Sequence, residues 1–175
     1  MIKEMLDKND IEGAKKYLSQ YDSLLEESKS QNYCENSIVN ALLRIYSRKF
    51  QKKGIYFSVN ASISKDIKIF SPTLGSILSN LLENAYEACK TITGIKPQVV
   101  FKVVESDDNL EIEVRNSSTS KRALSIEGIP YTTKHGGGTG LRSVKNEITK
   151  CGGDMRIKQT DNEFIVQIVI SLTKN

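Results

Sequence analysis

Asn80-Leu-Leu-Glu-Asn-Ala-Tyr-Glu-Ala88 lies inside a longer stretch, Pro72 to about Thr91, whose apolar residues recur every three or four positions. That spacing predicts an amphipathic helix, and Ser71-Pro72 suits its opening with proline at the first helical position. At about 100° per residue, Ser76, Asn80, Glu83, Asn84 and Glu87 share a polar sector about 100° wide, opposite Leu74, Ile77, Leu78, Leu81, Ala85 and Ala88. A wet helix face is ordinary surface. This one carries two carboxamides at i and i+4 with carboxylates at i+3 and i+7, rather than alternating Lys and Glu. Asparagine lowers helix propensity, because its amide competes for the backbone, so its place on an inner turn points to a ligand. A hard divalent cation such as Mg²⁺ takes oxygen donors and keeps water and phosphate oxygens in its shell. One carboxamide oxygen suits it.

The second informative stretch is His135-Gly-Gly-Gly-Thr-Gly140-Leu141, which runs directly into a helical pattern from Leu141 to Lys150 and stops at Gly152-Gly153. Glycines let the backbone approach a phosphate closely, and a helix N-terminus offers unpaired N–H groups and a favourable dipole. The loop is an anion cradle, but of neither common kind: Leu141 stands where a dinucleotide fingerprint needs its last glycine, and no Gly-Lys-Ser/Thr ending follows.

Working outward, Ser37 to Lys52 has helical period through Ile38, Leu42, Ile45 and Tyr46, and Gly54 ends it. Ile55 to Val59 and Ile67 to Phe70 are short strand candidates. Val99 to Val104 and Leu110 to Val114 read as strands joined by Ser106-Asp-Asp-Asn109. Met155 to Lys158 and Phe164 to Leu172 make a second hairpin around Asp161-Asn162. Between the hairpins, Asn116 to Gly140 is a long segment rich in Ser, Thr, Lys and Gly, of the kind that usually carries function. Near the N-terminus, Asn9 and Glu12 resemble a capping box, and Ile11, Ala14, Leu18 and Leu25 recur at heptad-like spacing. Residues 1–32 therefore read as the end of a helical hairpin whose first arm precedes the chain, and 33–175 as one globular domain.

Composition narrows the field. The 175 residues suffice for one core, and a net charge of +4 is spread over interleaved acids and bases, which does not favour nucleic-acid binding. Cys34, Cys89 and Cys151 are odd in number and form no CxxC pair, so neither a disulfide framework nor a zinc cluster is expected. There is no apolar run of the roughly 20 residues that a membrane span needs.

Asn80 to Ala88 resembles the N box of the GHKL ATPases, and Gly136 to Leu141 their second glycine box, in an order and spacing that agree from about Tyr33 to Leu172. The resemblance implies an α+β fold, a two-layer sandwich of the Bergerat type with a mixed, mainly antiparallel sheet and three helices on one face. Within the family the chain resembles sensor histidine kinases of the Agr quorum-sensing branch, where Asn-Ser after a strand, here Asn116-Ser117, replaces an Asp-x-Gly box. Thr132-Thr133-Lys134 matches the Thr/Ser-Lys that this group carries before the glycine loop. The absent Asp-x-Gly box is thus one of two departures from orthodox kinases; the other is Glu87, which sits where they have Lys, and the likeness to the Agr branch accounts for both.

That likeness implies ATP and Mg²⁺ as cofactors. It makes Asn84 the metal ligand, sets Asn80 and Glu83 near the phosphates, and gives Asn116 the adenine contact. Lys134 with Gly136, Gly138, Thr139, Gly140 and Leu141 would close over the triphosphate. The acceptor histidine is then expected on a helix outside this chain, in the same protein or its dimer mate, with a response regulator downstream. A membrane would enter only through an N-terminal sensor, leaving this domain cytoplasmic. His135, the one histidine, lacks a helical stripe and a following acid, and reads as a lid residue rather than the acceptor. Hydrolysing relatives use Glu at the first N-box position as general base; Asn80 cannot take that proton. A GHKL ATPase, an anti-sigma-type serine kinase and a non-catalytic nucleotide-binding module are the alternatives.

Overall fold

A computed structural model describes residues 31–119, 123, 125, 128–130 and 140–173. The chain divides into two units, Met1–Asn32 and Tyr33–Asn175. The helical hairpin inferred for residues 1–32, and the lid with Lys134, His135, Gly136, Gly138 and Thr139, lie outside the described residues.

Helix α1 (Ser37–Gln51) starts at Asn36, whose buried side chain accepts a hydrogen bond from the Val39 N–H at 3.2 Å and donates to the carbonyls of Ser64 and Lys65. It ends in a Schellman turn: the Ile55 N–H reaches the Phe50 carbonyl and the Gly54 N–H the Gln51 carbonyl, both at 3.0 Å, with Gly54 at φ 67°. Strand β1 (Tyr56–Ser62) follows, then helix α2 (Ser71–Cys89), strands β2 (Gln98–Glu105) and β3 (Asn109–Ser117), helix α3 (Gly140–Lys150), and strands β4 (Asp154–Gln159) and β5 (Glu163–Ser171).

The five strands form one mixed sheet in the order β1-β2-β3-β5-β4. β1 and β2 are parallel, with α2 as the crossover that a parallel pair requires; every other pairing is antiparallel. Alternation along the strands sends Val99, Phe101, Val103, Leu110, Ile112, Val114, Val166, Ile168 and Ile170 into the core. The opposite positions, among them Lys102, Glu111 and Arg156, stay exposed. α2 is central: it packs on α1, α3, β2 and β3, and buries Leu74, Ile77, Leu78, Leu81, Leu82, Ala85 and Cys89. The expected α+β sandwich is therefore the observed one, and the polar residues of α2, Ser76, Asn80, Glu83, Asn84 and Glu87, are half-buried.

Two local readings change. Ile67 to Phe70 is not a strand: only Ile69 is buried, Phe70 is 73% exposed, and the segment serves as the approach to α2, with Phe70 in its cap position. Proline accordingly falls in the first turn behind Ser71, not at the first position. β3 also runs farther than expected, so that Asn116 and Ser117 are its last residues, paired with Phe164 and Glu163 of β5.

Candidate nucleotide site

The polar face of α2 and the N-terminus of α3 meet at the two asparagines. The Asn80 side-chain amide donates to the Ser76 carbonyl one turn back, at 2.9 Å, which turns its Oδ1 outward. Gly140, the first residue of α3, lies against it: a β-carbon at this glycine would stand 3.2 Å from Asn80 Oδ1 and 3.5 Å from Asn84 Nδ2. The end of the glycine loop therefore closes on both carboxamides, and a side chain there would intrude between them. Asn84 Nδ2 is shut off from solvent with no hydrogen-bond partner. Leaving a buried donor unpaired costs about 1–3 kcal/mol.

Gly140→Ala separates site from fold. Gly140 has no left-handed φ that would strain an alanine, so the thermal midpoint should stay close to that of the parent. The added methyl must push Asn80 aside, and nucleotide affinity should fall by about threefold to tenfold, roughly 0.7–1.4 kcal/mol. Calorimetry beside a thermal melt checks both; unchanged affinity would remove the Gly140–Asn80 contact from the site.

The acidic residues of the same face are neutralised. Glu83 Oε2 lies 2.5 Å from Lys49 Nζ of α1 and accepts the Tyr46 hydroxyl at 2.9 Å; Glu87 pairs with Lys90 at 2.5 Å. Burial first, then the hydrogen bond and charge of Glu83, holds the Tyr46 phenol well above its ordinary pKa, so it stays a donor. From α3, Glu147 reaches Ser76 Oγ at 3.4 Å and ties the third helix to the N-terminal half of α2.

At the C-terminal end of α2, where the Cys89 thiol approaches the Ser117 carbonyl, Asn116 is 3% exposed on the core face of β3. Its amide nitrogen donates to the Ser117 carbonyl at 2.8 Å. Ser117 Oγ takes the Gln98 N–H at 3.0 Å, and the Cys89 thiol sits 3.7–3.8 Å from the Gln98 and Ser117 carbonyls. Burial raises that thiol's pKa to about 11 and keeps it protonated. These bonds fasten the end of α2 to the edge where β2 begins and β3 ends.

The structure thus brings Asn80, Asn84 and Gly140 together, sets Leu141 half-buried against the core, and places Asn116 at the far end of the same helix. Glu83 turns toward α1. The part played by Lys49 and Tyr46 was not visible in the sequence. Tyr46 falls on the apolar stripe of α1, and only its hydroxyl hinted at a polar partner.

A family model described as the GHKL domain matches residues 72–171, more than half of the chain, and the chain belongs to that family. Among solved structures it resembles the nucleotide-free catalytic domain of histidine kinase ThkA, with TM-score 0.62 and 18% identity over 79% of this chain and 93% of that one. The Acinetobacter baumannii histidine kinase AdeS is similar at TM-score 0.56 and 15% identity, over 79% and 64% of the two chains. ThkA in complex with response regulator protein TrrA gives TM-score 0.59 and 18% identity, over 95% of this chain and 51% of that one. At such identities the likeness concerns the fold. No curated protein matches the chain.

Proposed function

We propose that this domain binds ATP with Mg²⁺ and is the catalytic part of a sensor histidine kinase, passing the terminal phosphoryl group to a histidine on another helix. The observation that carries the reading is the junction of Asn80, Asn84 and Gly140, with its buried, unpartnered Asn84 amide. Asn116 pairs with the adenine amino edge through its side-chain amide, whose Nδ2 also donates to the Ser117 carbonyl. Phosphates lie toward Gly140, the first residue of α3, where a helix N-terminus offers unpaired N–H groups.

The donor set fits Mg²⁺. Among the described residues no group of three His, Cys, Asp or Glu is placed to hold a metal. One carboxamide oxygen, that of Asn84, suits a cation that arrives already carrying phosphate and water. Such a cation supplies charge neutralisation on the phosphates.

Transfer rather than hydrolysis fits the first N-box position: Asn80 has no basic atom for a water proton, and Glu83 and Glu87 of the same helix face are ion-paired. The chain binds and orients the nucleotide, and the acceptor side chain does the attacking. A response regulator as later partner is supported by the ThkA–TrrA complex. Asn116-Ser117 supports placement in the Agr-like branch, as the cytoplasmic part of a membrane-anchored sensor; no described helix is long and apolar enough to cross a membrane. Following the terminal phosphate of labelled ATP tests the reading: bound nucleotide with little free phosphate supports it, and rapid release would return the ATPase alternative.

A further inference from the structure

Between α1 and α2 lies a side-chain cluster that nucleotide binding does not use directly. Lys49 Nζ sits 4.1 Å from the centre of the Tyr86 ring and 5.3 Å from that of Tyr46, within the range of cation–π attraction, while it pairs with Glu83. Tyr46 donates to the same carboxylate oxygen, and Phe50 packs against both tyrosines in tilted contacts, at 6.0–6.1 Å between ring centres. Lys49 and Glu83 remain 35% and 43% exposed, so as an ion pair they add little to stability. The ammonium is nevertheless confined by two rings and a carboxylate. Such confinement of a weak pair calls for a reason other than fold stability.

The reason lies in what Glu83 adjoins. It precedes Asn84 by one residue and follows Asn80 by three, which puts its β-carbon about 5–6 Å from that of Asn80 on one helix face. That is inside the Debye length of about 8 Å at physiological salt, so a bare carboxylate there would repel a polyphosphate held by the asparagines. We propose that Lys49, held by Tyr86 and Tyr46, is a positioning residue that cancels the charge of Glu83 and so lets the site accept the most highly charged nucleotide. The inference rests on the nucleotide reading above.

Calorimetry of the full chain with Mg-ATP and Mg-ADP tests it. In Lys49→Met, affinity should fall by about tenfold for ATP and about threefold for ADP at low salt, with both losses shrinking as salt is added. Adding Glu83→Gln to Lys49→Met should restore ATP affinity to within about twofold of the parent chain, although the ion pair is still missing. An equal loss for both nucleotides, no loss at all, or no rescue by Glu83→Gln would overturn the inference. A parent chain that binds neither nucleotide overturns the nucleotide reading itself; a parent that binds beside an unaltered Lys49→Met overturns this inference alone.

Discussion

Asn84→Ala is expected to weaken Mg-ATP binding by roughly tenfold to a hundredfold, about 1.4–2.7 kcal/mol, while leaving the thermal midpoint close to that of the parent. The magnitude follows from removing a contact to a charged ligand in a solvent-poor junction. The retained stability follows from the state of the side chain without nucleotide: its amide nitrogen is buried and bonded to nothing, so truncation forfeits little and relieves an unpaired donor. Asn80→Ala differs, because the Asn80 amide bonds the Ser76 carbonyl. Calorimetry with a thermal melt reads both quantities. Full ATP affinity in Asn84→Ala would sink the assignment of this residue, and a large fall in midpoint would make it structural.

The largest effect on stability is expected at Gly153. A β-carbon there would stand 2.6 Å from the Val169 carbonyl oxygen, 2.9 Å from Ile148 Cγ2 and 3.1 Å from Ile170 Cγ1. A backbone oxygen fixed in the β4–β5 ladder cannot move aside as a side-chain tip can, so Gly153→Ala forces apart the end of α3 and the edge of the sheet. Overpacking of this kind costs about 3 kcal/mol, which lowers the midpoint of a domain this size by about 6–12 °C. Its neighbour is the control. Gly152 is the left-handed residue of the turn, at φ 71°, with nothing within 4 Å of a β-carbon, and Gly152→Ala should cost only about 1–2 kcal/mol. The two variants compared by urea unfolding decide the matter; equal losses would mean that crowding at Gly153 is relieved by local movement.

Both sites sit at the ends of α3, and they differ in how far the sequence disclosed them. Gly136 to Gly140 announced a phosphate cradle by composition, and Gly152-Gly153 announced a helix stop. That Gly153 also fills a slot against Val169 depends on β5 passing beside it, which no local pattern reports. The same divide runs through the fold. α2 and the two hairpins were readable because period 3.6 and period 2 are interrupted by Pro, Gly, Asp and Asn at the turns. Ile67 to Phe70 misled because a short apolar run looks alike whether it forms a strand or caps a helix. Asn116 and Ser117 were expected beyond the strand because they are polar, yet the ladder to Phe164 and Glu163 carries them within it.

The site shows the same limit. Asn80 and Asn84 declared themselves on one helix, since four residues make one turn. Their closure by Gly140, and the neutralisation of Glu83 by Lys49, join residues far apart in the chain through packing of α1 and α3 on α2. Asn116 carried meaning only through a family likeness; its burial at the end of β3 and its bond to the Ser117 carbonyl were not readable from local pattern.

The central claim is that this face holds a triphosphate for transfer to a histidine supplied by another helix. Its most direct measurement uses ATP labelled in the terminal phosphate, with Mg²⁺ and the chain, in the presence and absence of a separate histidine-bearing acceptor helix. Label should stay on nucleotide when the chain is alone and move to the acceptor histidine when that helix is added, with little free phosphate in either case. Rapid release of inorganic phosphate from the chain alone, or label found on His135, would contradict the account.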